Sequence, residues 1–187
     1  MKMYSVTRVL GRWNEFAENG IPTAILQDAQ ARGTEIHRCC TAIAGGESVI
    51  AERGDIEGYL ISFRDWWEFH GLQILVAEAR FEDGTFGFYG HPDIIAVGPD
   101  GMIWLIDMKS PQTEQPTWKG QMAAYKHLVE DTGDYKVGKV GTLILDKEGK
   151  SARFIKYDEQ RRDFAVFLGA LQAEREYTRK GGEENHG

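Results

Sequence analysis

The sequence has few cysteines, few prolines and no long apolar run. Its 187 residues include five prolines and two cysteines, which are the neighbours Cys39 and Cys40. Two adjacent thiols cannot form a CxxC pair or a four-thiolate metal site by themselves, and such sparse cysteine usage favours a reducing compartment. No apolar run approaches the ~18 residues of a membrane span, and Met1–Ser5 lacks the apolar stretch of a secretory signal. We therefore expect a cytoplasmic protein with no membrane partner.

The sequence also lacks an excess of basic residues. Its formal net charge is −7, which disfavours a generic nucleic-acid-coating protein, since that class is basic overall. Nucleotide-binding patterns such as GxxxxGK[ST] and GxGxxG are missing, and so is the GxSxG pattern of many hydrolases. Residues 61–118 hold nine Asp and Glu against three Lys and Arg. This acidic segment predicts either a solvated acidic surface or a cation site.

The order of periodic segments indicates one α/β domain over residues 1–179. Three helices come first, and a run of strands follows them. The predicted strands cover about 72–78, 87–97 and 102–109, and then 138–146 and 151–157 after a helix at about 115–130. A last helix begins after Asp158, and the Gly- and Glu-rich residues 180–187 are expected to be a disordered tail. This layout predicts a mixed central sheet flanked by helices.

Two aspartates are predicted to face each other across one hairpin. The turn Pro99-Asp100-Gly101 joins two apolar strands, and a hairpin centred on residue 100 pairs Asp93 with Asp107. Opposed carboxylates on a sheet repel each other unless a cation lies between them. Oxygen ligands at this spacing suit Mg²⁺ or Mn²⁺. A register error of one residue would move every side chain to the other face and remove this argument.

Such a site is suited to phosphodiester hydrolysis. A metal held by two carboxylates binds a phosphate oxygen and lowers the pKa of a bound water. Lys109 lies two residues after Asp107, hence on the same strand face, where its ammonium can stabilise developing negative charge. The alternative is that Asp107 and Lys109 are ordinary polar residues on the exposed side of a strand.

Four segments of the chain resemble a known nuclease family. Pro92-Asp93 followed by Asp107-Met108-Lys109 matches the PD-(D/E)XK nuclease motif. Residues 31–37, ARGTEIH, resemble the RGTxxH helix of its RecB/Cas4-like branch, and residues 121–125, QMAAY, resemble the QxxxY helix. Residues 5–7, SVT, resemble the start of phage-encoded members. The resemblance implies a restriction-endonuclease-like core, and with two cysteines the chain cannot carry the iron–sulfur cluster of Cas4-type nucleases.

The resemblance also implies a role for individual residues. The metal ligands would be the His37 imidazole, the Asp93 and Asp107 carboxylates and the Met108 carbonyl. Lys109 would be catalytic, and Gln121 and Tyr125, four apart on one helix face, would position Lys109 or the phosphate backbone. Two further candidates lie near the motif: Glu78 as an additional acid and His91 as a substrate contact. His127 is expected to be an ordinary surface residue.

The predicted function is therefore that of a Mg²⁺- or Mn²⁺-dependent deoxyribonuclease. The resemblance favours a phage-type exonuclease that acts in DNA processing or recombination, in a bacterial or phage-infected cell. Its expected partners are DNA and, as a candidate, a recombination or single-strand-binding protein. Two alternatives stay open, namely a structure-specific endonuclease and a catalytically silent nucleic-acid-binding protein on the same fold. The sequence leaves the oligomeric state open.

Overall fold

The computed structural model of the chain describes residues 2–18 and 21–183, and the side chains of residues 2–12 and 21–178. The helices are Val6–Glu18 (α1), Thr23–Ala44 (α2), Glu57–His70 (α3), Thr117–Asp131 (α4) and Gln160–Glu183 (α5). The strands are Tyr4–Ser5 (β1), Gln73–Ala77 (β2), Phe81–Asp83 (β3), Phe88–Gly90 (β4), Ile94–Val97 (β5), Ile103–Lys109 (β6), Val137–Ile144 (β7) and Arg153–Lys156 (β8). Within these ranges, no helix combines the length and the apolar character that crossing a lipid bilayer requires.

The strands form a large mixed sheet and a small second sheet. The large sheet has the order β2-β5-β6-β7-β8, in which β6 and β7 are parallel and the other neighbours are antiparallel. Helix α4 connects the two parallel strands, as a parallel pair requires a crossover connection. The small sheet has the order β1-β4-β3. The prediction of an α/β fold with a mixed central sheet flanked by helices is confirmed.

The two faces of the large sheet are covered by different helices, and strand β6 contributes to both. Leu105 packs in a core with residues of α1, α4 and α5, whereas Ile106 and Met108 pack with residues of α2 and α3. Side chains alternate between the faces of a strand. Asp107 and Lys109 therefore lie on the α4 side of the sheet, and Met108 lies on the opposite side.

The structure differs from the sequence expectations in one strand and adds a small sheet. The predicted strand over 87–97 is split into β4 and β5, because Pro92 has no N–H to donate to a ladder. The small sheet was not predicted, since β1 has only two residues and no periodicity to detect. Helix α5 extends to Glu183, and residues 184–187 of the expected tail lie outside the described residues.

Candidate metal centre

The strand break at residues 91–93 places Asp93 at the start of β5. The β5–β6 ladder pairs Ile94 with Ile106 and Val97 with Ile103, so the predicted hairpin register is confirmed. Asp93 directly precedes Ile94, at the end of the ladder that lies away from the turn. The Asp93 backbone carbonyl accepts a hydrogen bond from the Glu78 N–H at 3.0 Å. This bond connects the segment between β4 and β5 to the residue that follows β2. The two aspartates of the motif thus reach the same end of the hairpin.

Asp93 is a buried carboxylate with two polar neighbours. Its Oδ2 accepts a hydrogen bond from the Met108 N–H at 2.6 Å, and its Oδ1 lies 3.3 Å from the His37 Nδ1. Burial raises the pKa of Asp93, but the charge of His37, its hydrogen bond and the Lys109 charge outweigh burial, so the pKa is below its ordinary value. Asp93 is therefore ionised near neutral pH.

Asp107 is buried and its Oδ2 pairs with Lys109. The residue is 2% exposed. Oδ1 accepts a hydrogen bond from the Gln121 Nε2 at 3.3 Å. Oδ2 lies 2.6 Å from the Lys109 Nζ in an ion pair and has no further hydrogen-bond partner among the described residues. Burial, together with the charge of Asp93, raises the pKa of Asp107 to about 6 despite the opposing charge of Lys109.

Lys109 holds a positive charge inside the site. Its side chain is 18% exposed, and its Nζ donates a hydrogen bond to the Gln121 Oε1 at 3.1 Å. Burial lowers the pKa of Lys109, but the charges of Asp107 and Asp93 outweigh burial and keep the pKa above its ordinary value. The ammonium also lies 5.7 Å from the centroid of the Trp118 ring. Lys109 is therefore a fixed cation rather than a proton acceptor at neutral pH.

Gln121 and Tyr125 lie on the face of α4 that covers these side chains. The Gln121 amide accepts from Lys109 and donates to Asp107 through Nε2, which also donates to the Tyr125 hydroxyl at 3.1 Å. Burial raises the pKa of Tyr125, so its hydroxyl stays protonated. Gln121 thus links the lysine, one carboxylate and the tyrosine in a single network.

His37 reaches the site from helix α2. Its side chain is 31% exposed. Burial lowers the pKa of His37, but the negative charges of Asp93 and Asp107 outweigh burial and raise the pKa to about 9. In this structure the imidazole is accordingly a charged partner of Asp93.

The three other predicted residues, Met108, Glu78 and His91, lie at different places around the site. Met108 has a fully buried side chain on the opposite face of the sheet, and its N–H contacts Asp93. Glu78 has an exposed side chain and a positive φ of 50°, and it is not among the described residues that line the cavity beside Asp107. His91 is exposed and does line that cavity.

Two adjoining cavities open beside the network. The first, about 230 Å³, contains the two aspartates and is lined also by Ser5, His37 and His91. The second, about 260 Å³, extends along helix α4. Thr7, Lys109 and Gln121 line both cavities, so the lysine stands between the two. Together they form a recess beside the Asp107 carboxylate.

A second His and Asp group was missed by sequence reasoning. Asp83, His127 and Asp131 bring one ligand atom each within 4.8 Å of one another, a spacing at which a metal ion could be held. His127 is no ordinary surface residue: its Nε2 lies 2.6 Å from the Asp83 Oδ2, and its ring stacks on Phe164 with centroids 4.4 Å apart. The spacing of His127 and Asp131, four apart on α4, was the one available sequence signal. Their contact with Asp83 depends on tertiary structure.

Comparisons with known proteins give remote similarities. No protein-family model matches the chain, and no curated protein matches it. The chain is similar to a solved structure of an alkaline exonuclease (LHK-Exo) from Laribacter hongkongensis, with 17% sequence identity, coverage of 97% of this chain and 94% of that chain, and a TM-score of 0.42. It is also similar to LHK-Exo in complex with dAMP, with 18% identity, coverage of 97% and 93%, and a TM-score of 0.42. At this level of identity and TM-score, the similarities carry no argument about function.

Proposed function

We propose that the protein is a divalent-metal-dependent DNA nuclease of the PD-(D/E)XK type, in its RecB/Cas4-like branch, with its centre at Asp93, Asp107 and Lys109. The observation that carries the proposal is that two buried carboxylates, Asp93 and Asp107, and the Lys109 ammonium line one cavity. Carboxylates buried side by side cost free energy unless cations lie beside them. Such groups in a cavity are typical of sites that bind a ligand or carry out chemistry.

The donor set fits a hard divalent cation. Asp93 and Asp107 supply carboxylate oxygens, His37 supplies an imidazole nitrogen, and the Met108 carbonyl is the fourth proposed ligand. Carboxylate and carbonyl oxygens suit Mg²⁺ and Mn²⁺, and an imidazole is compatible with Mn²⁺. When bound, the cation would supply Lewis acidity that polarises a phosphodiester and makes a water molecule more acidic.

The protein's own residues supply the rest of the chemistry. The Lys109 ammonium is held by Asp107 and Gln121, so it is already oriented when substrate arrives. Hydrolysis of a phosphodiester adds negative charge to the phosphoryl oxygens, and a fixed cation at this position stabilises that charge. Gln121 also contacts Tyr125, which prevents the amide from turning away. Gln121 and Tyr125 are therefore positioning residues for Lys109.

The Asp83 group is less suited to this role. The Asp83 Oδ1 already accepts the Thr85 and Phe86 N–H groups at 2.6 and 2.8 Å, and its Oδ2 is occupied by His127. The carboxylate of Asp83 thus has partners for both oxygens, and its pKa is below its ordinary value. We assign Asp83 and His127 to the attachment of the β3–β4 hairpin to α4.

The test is a time course on end-labelled linear DNA, single- and double-stranded, in Mg²⁺, in Mn²⁺ and in EDTA. We expect shortening of the DNA with either metal and none in EDTA. Asp100→Asn, a change in the exposed turn of the same hairpin, is the matched control and should retain full activity. Absence of cleavage with every metal would contradict the proposal.

The exonuclease mode is tested with a covalently closed circle. We expect linear DNA to be degraded and the closed circle to stay intact, because an exonuclease needs a strand end. Cleavage of the circle at a rate equal to that of linear DNA would instead identify a structure-specific or general endonuclease.

A further inference from the structure

The outer face of the small sheet carries a row of flat side chains. Along β4, Phe88 packs into the core and Gly90 faces Tyr125 on α4. By alternation, Tyr89 between them points to the other face of the sheet. Tyr89 is paired with Ser5 on β1 and with Glu82 on β3, so it occupies the centre of this outer face.

Arg80 and His91 extend the row on either side of Tyr89. The Arg80 guanidinium lies 3.7 Å from the centroid of the Tyr89 ring, and Glu82 holds its Nε and Nη2 at 3.2 and 3.1 Å. The Arg80 side chain nevertheless stays 46% exposed. On the other side, the exposed His91 ring lies 5.8 Å from the Tyr89 ring, nearly perpendicular to it. We name Arg80, Tyr89 and His91 the aromatic row.

The aromatic row ends in the cavity of the metal centre. His91 lines that cavity together with Asp93 and Asp107, and so does Ser5, the β1 partner of Tyr89. A strand whose phosphodiester enters the cavity would therefore pass over the row. The guanidinium over the Tyr89 ring offers a planar stacking surface that the Glu82 carboxylate holds in place and whose charge it offsets.

We propose that the aromatic row binds the unstacked bases of a single-stranded DNA segment next to the phosphodiester in the metal centre. This inference rests on the proposed function and adds to it a substrate class. Aromatic rings and guanidinium planes bind single strands through the π-faces of the bases. Those faces are hidden in a duplex, where neighbouring bases cover them. The row therefore favours an unpaired strand over paired DNA.

The chain offers a matched control for the Arg80–Tyr89 stack. Arg12 lies over Tyr177 with the same 3.7 Å separation between guanidinium carbon and ring centroid. That pair joins α1 to α5, and neither residue lines the cavity of the metal centre among the described residues. If such stacks only rigidify the surface, removal of either one should have the same effect on DNA binding.

The experiment measures DNA binding by fluorescence anisotropy, with the full chain carrying Asp107→Asn to prevent cleavage. The probes are a fluorescein-labelled oligothymidylate and a blunt duplex of equal length, both in Mg²⁺. Tyr89→Ala and, separately, Arg80→Gln should each weaken oligothymidylate binding by about 10-fold. Duplex binding should change by less than about twofold. Tyr177→Ala should leave both affinities unchanged. Arg80→Gln keeps the strand residue Tyr89 and so tests the row even if Tyr89→Ala fails to fold.

The outcomes separate failure of this inference from failure of the proposed function. Oligothymidylate affinities of Tyr89→Ala and Arg80→Gln equal to that of the parent would overturn the inference. An equal loss for oligothymidylate and duplex would overturn the single-strand preference. If the parent protein binds neither DNA, and the wild-type protein cleaves neither, the proposed nuclease function fails instead.

Discussion

Two Asp–His pairs in this molecule have the same residue types but different surroundings. Asp83 and His127 lie 2.6 Å apart, and both oxygens of Asp83 have hydrogen-bond partners. Asp93 and His37 lie 3.3 Å apart beside Asp107. The first pair lines neither of the two cavities described above, whereas the second lies in one of them together with Asp107 and Lys109. Buried charged groups that share a cavity favour a role in binding or chemistry.

The pKa directions repeat the contrast. Burial raises the pKa of Asp83, but its hydrogen bonds with His127 and with the Phe86 and Thr85 N–H groups outweigh burial and lower it. Burial and the neighbouring Asp93 raise the pKa of Asp107 to about 6, although Lys109 opposes the shift. The folded protein thus stabilises the charge of Asp83 and destabilises that of Asp107. Substitution of Asp83 should therefore lower mainly stability, and substitution of Asp107 should lower mainly activity.

The largest expected effect is that of Asp107→Asn on catalysis. We expect kcat/KM on DNA to fall by at least about 10³-fold, because the change removes an anionic metal ligand worth several kcal/mol of transition-state stabilisation. A time course of end-labelled DNA with Mg²⁺ measures it. Retention of wild-type activity would contradict the assignment of this carboxylate.

The same substitution should remove one source of pH dependence from the stability of the metal-free fold. The folded-state pKa of Asp107, about 6, is above its ordinary value of 3.8. The wild-type folded state therefore holds its proton longer than the unfolded state, and this contribution to stability is lost as pH rises from about 4 to about 6. In EDTA, we expect the free energy of unfolding of the wild type to fall between about pH 4 and pH 6, and we expect this part of the fall to be missing from Asp107→Asn, whose amide does not titrate. Urea unfolding at pH 4 and pH 7 measures the difference.

Lys109→Met is expected to have the next largest effect on activity. Loss of a fixed cation at the reacting phosphate should lower kcat by about 10²- to 10³-fold. The KM should change less, since the ammonium acts on charge that develops during the reaction. Steady-state kinetics separate the two constants. A change confined to KM would assign Lys109 to ground-state binding.

Asp83→Ala should affect stability rather than chemistry. The change leaves the Thr85 and Phe86 N–H groups and His127 without their partner, which should lower the free energy of unfolding by about 1–3 kcal/mol. The kcat of the folded variant should stay within about twofold of wild type. A loss of activity as large as that of Asp107→Asn would mean that Asp83 also takes part in catalysis and is not only a stabilising residue.

Tyr125→Phe should have the smallest effect. It removes the hydroxyl that holds the Gln121 Nε2 at 3.1 Å and leaves the buried ring in place. Loss of one neutral hydrogen bond corresponds to about fivefold in rate. Gln121→Leu should cost more, because it also removes the contacts with Lys109 and Asp107. Wild-type activity of Tyr125→Phe, together with reduced activity of Gln121→Leu, would show that Gln121 does not depend on Tyr125.

The sequence contained enough local information to predict the hairpin that carries the two aspartates. Pro99-Asp100-Gly101 set the turn, and the turn set the register that pairs Ile94 with Ile106. Period-two alternation then placed Asp107 and Lys109 on one face, opposite Met108. These features depend on neighbours within one hairpin, so sequence spacing is sufficient to predict them.

Other features depend on contacts between distant segments and could not be predicted. The contact of Asp83 with His127 requires β3 to pack on α4, and no spacing in the sequence encodes that packing. The stack of Arg80 on Tyr89 requires the β3–β4 pairing, which joins two strands of only three residues each. The break at residues 91–93 was missed because the apolar pattern on both sides of Pro92 resembles one continuous strand.

Mn²⁺ titration calorimetry on three proteins tests the central claim, which is that the divalent cation binds at Asp93 and Asp107 rather than at Asp83 and His127. The proteins are wild type, Asp107→Asn and Asp83→Asn. We expect binding heat from wild type and from Asp83→Asn, and a loss of that heat for Asp107→Asn. Retention of the heat by Asp107→Asn, together with its loss in a folded Asp83→Asn, would contradict the claim.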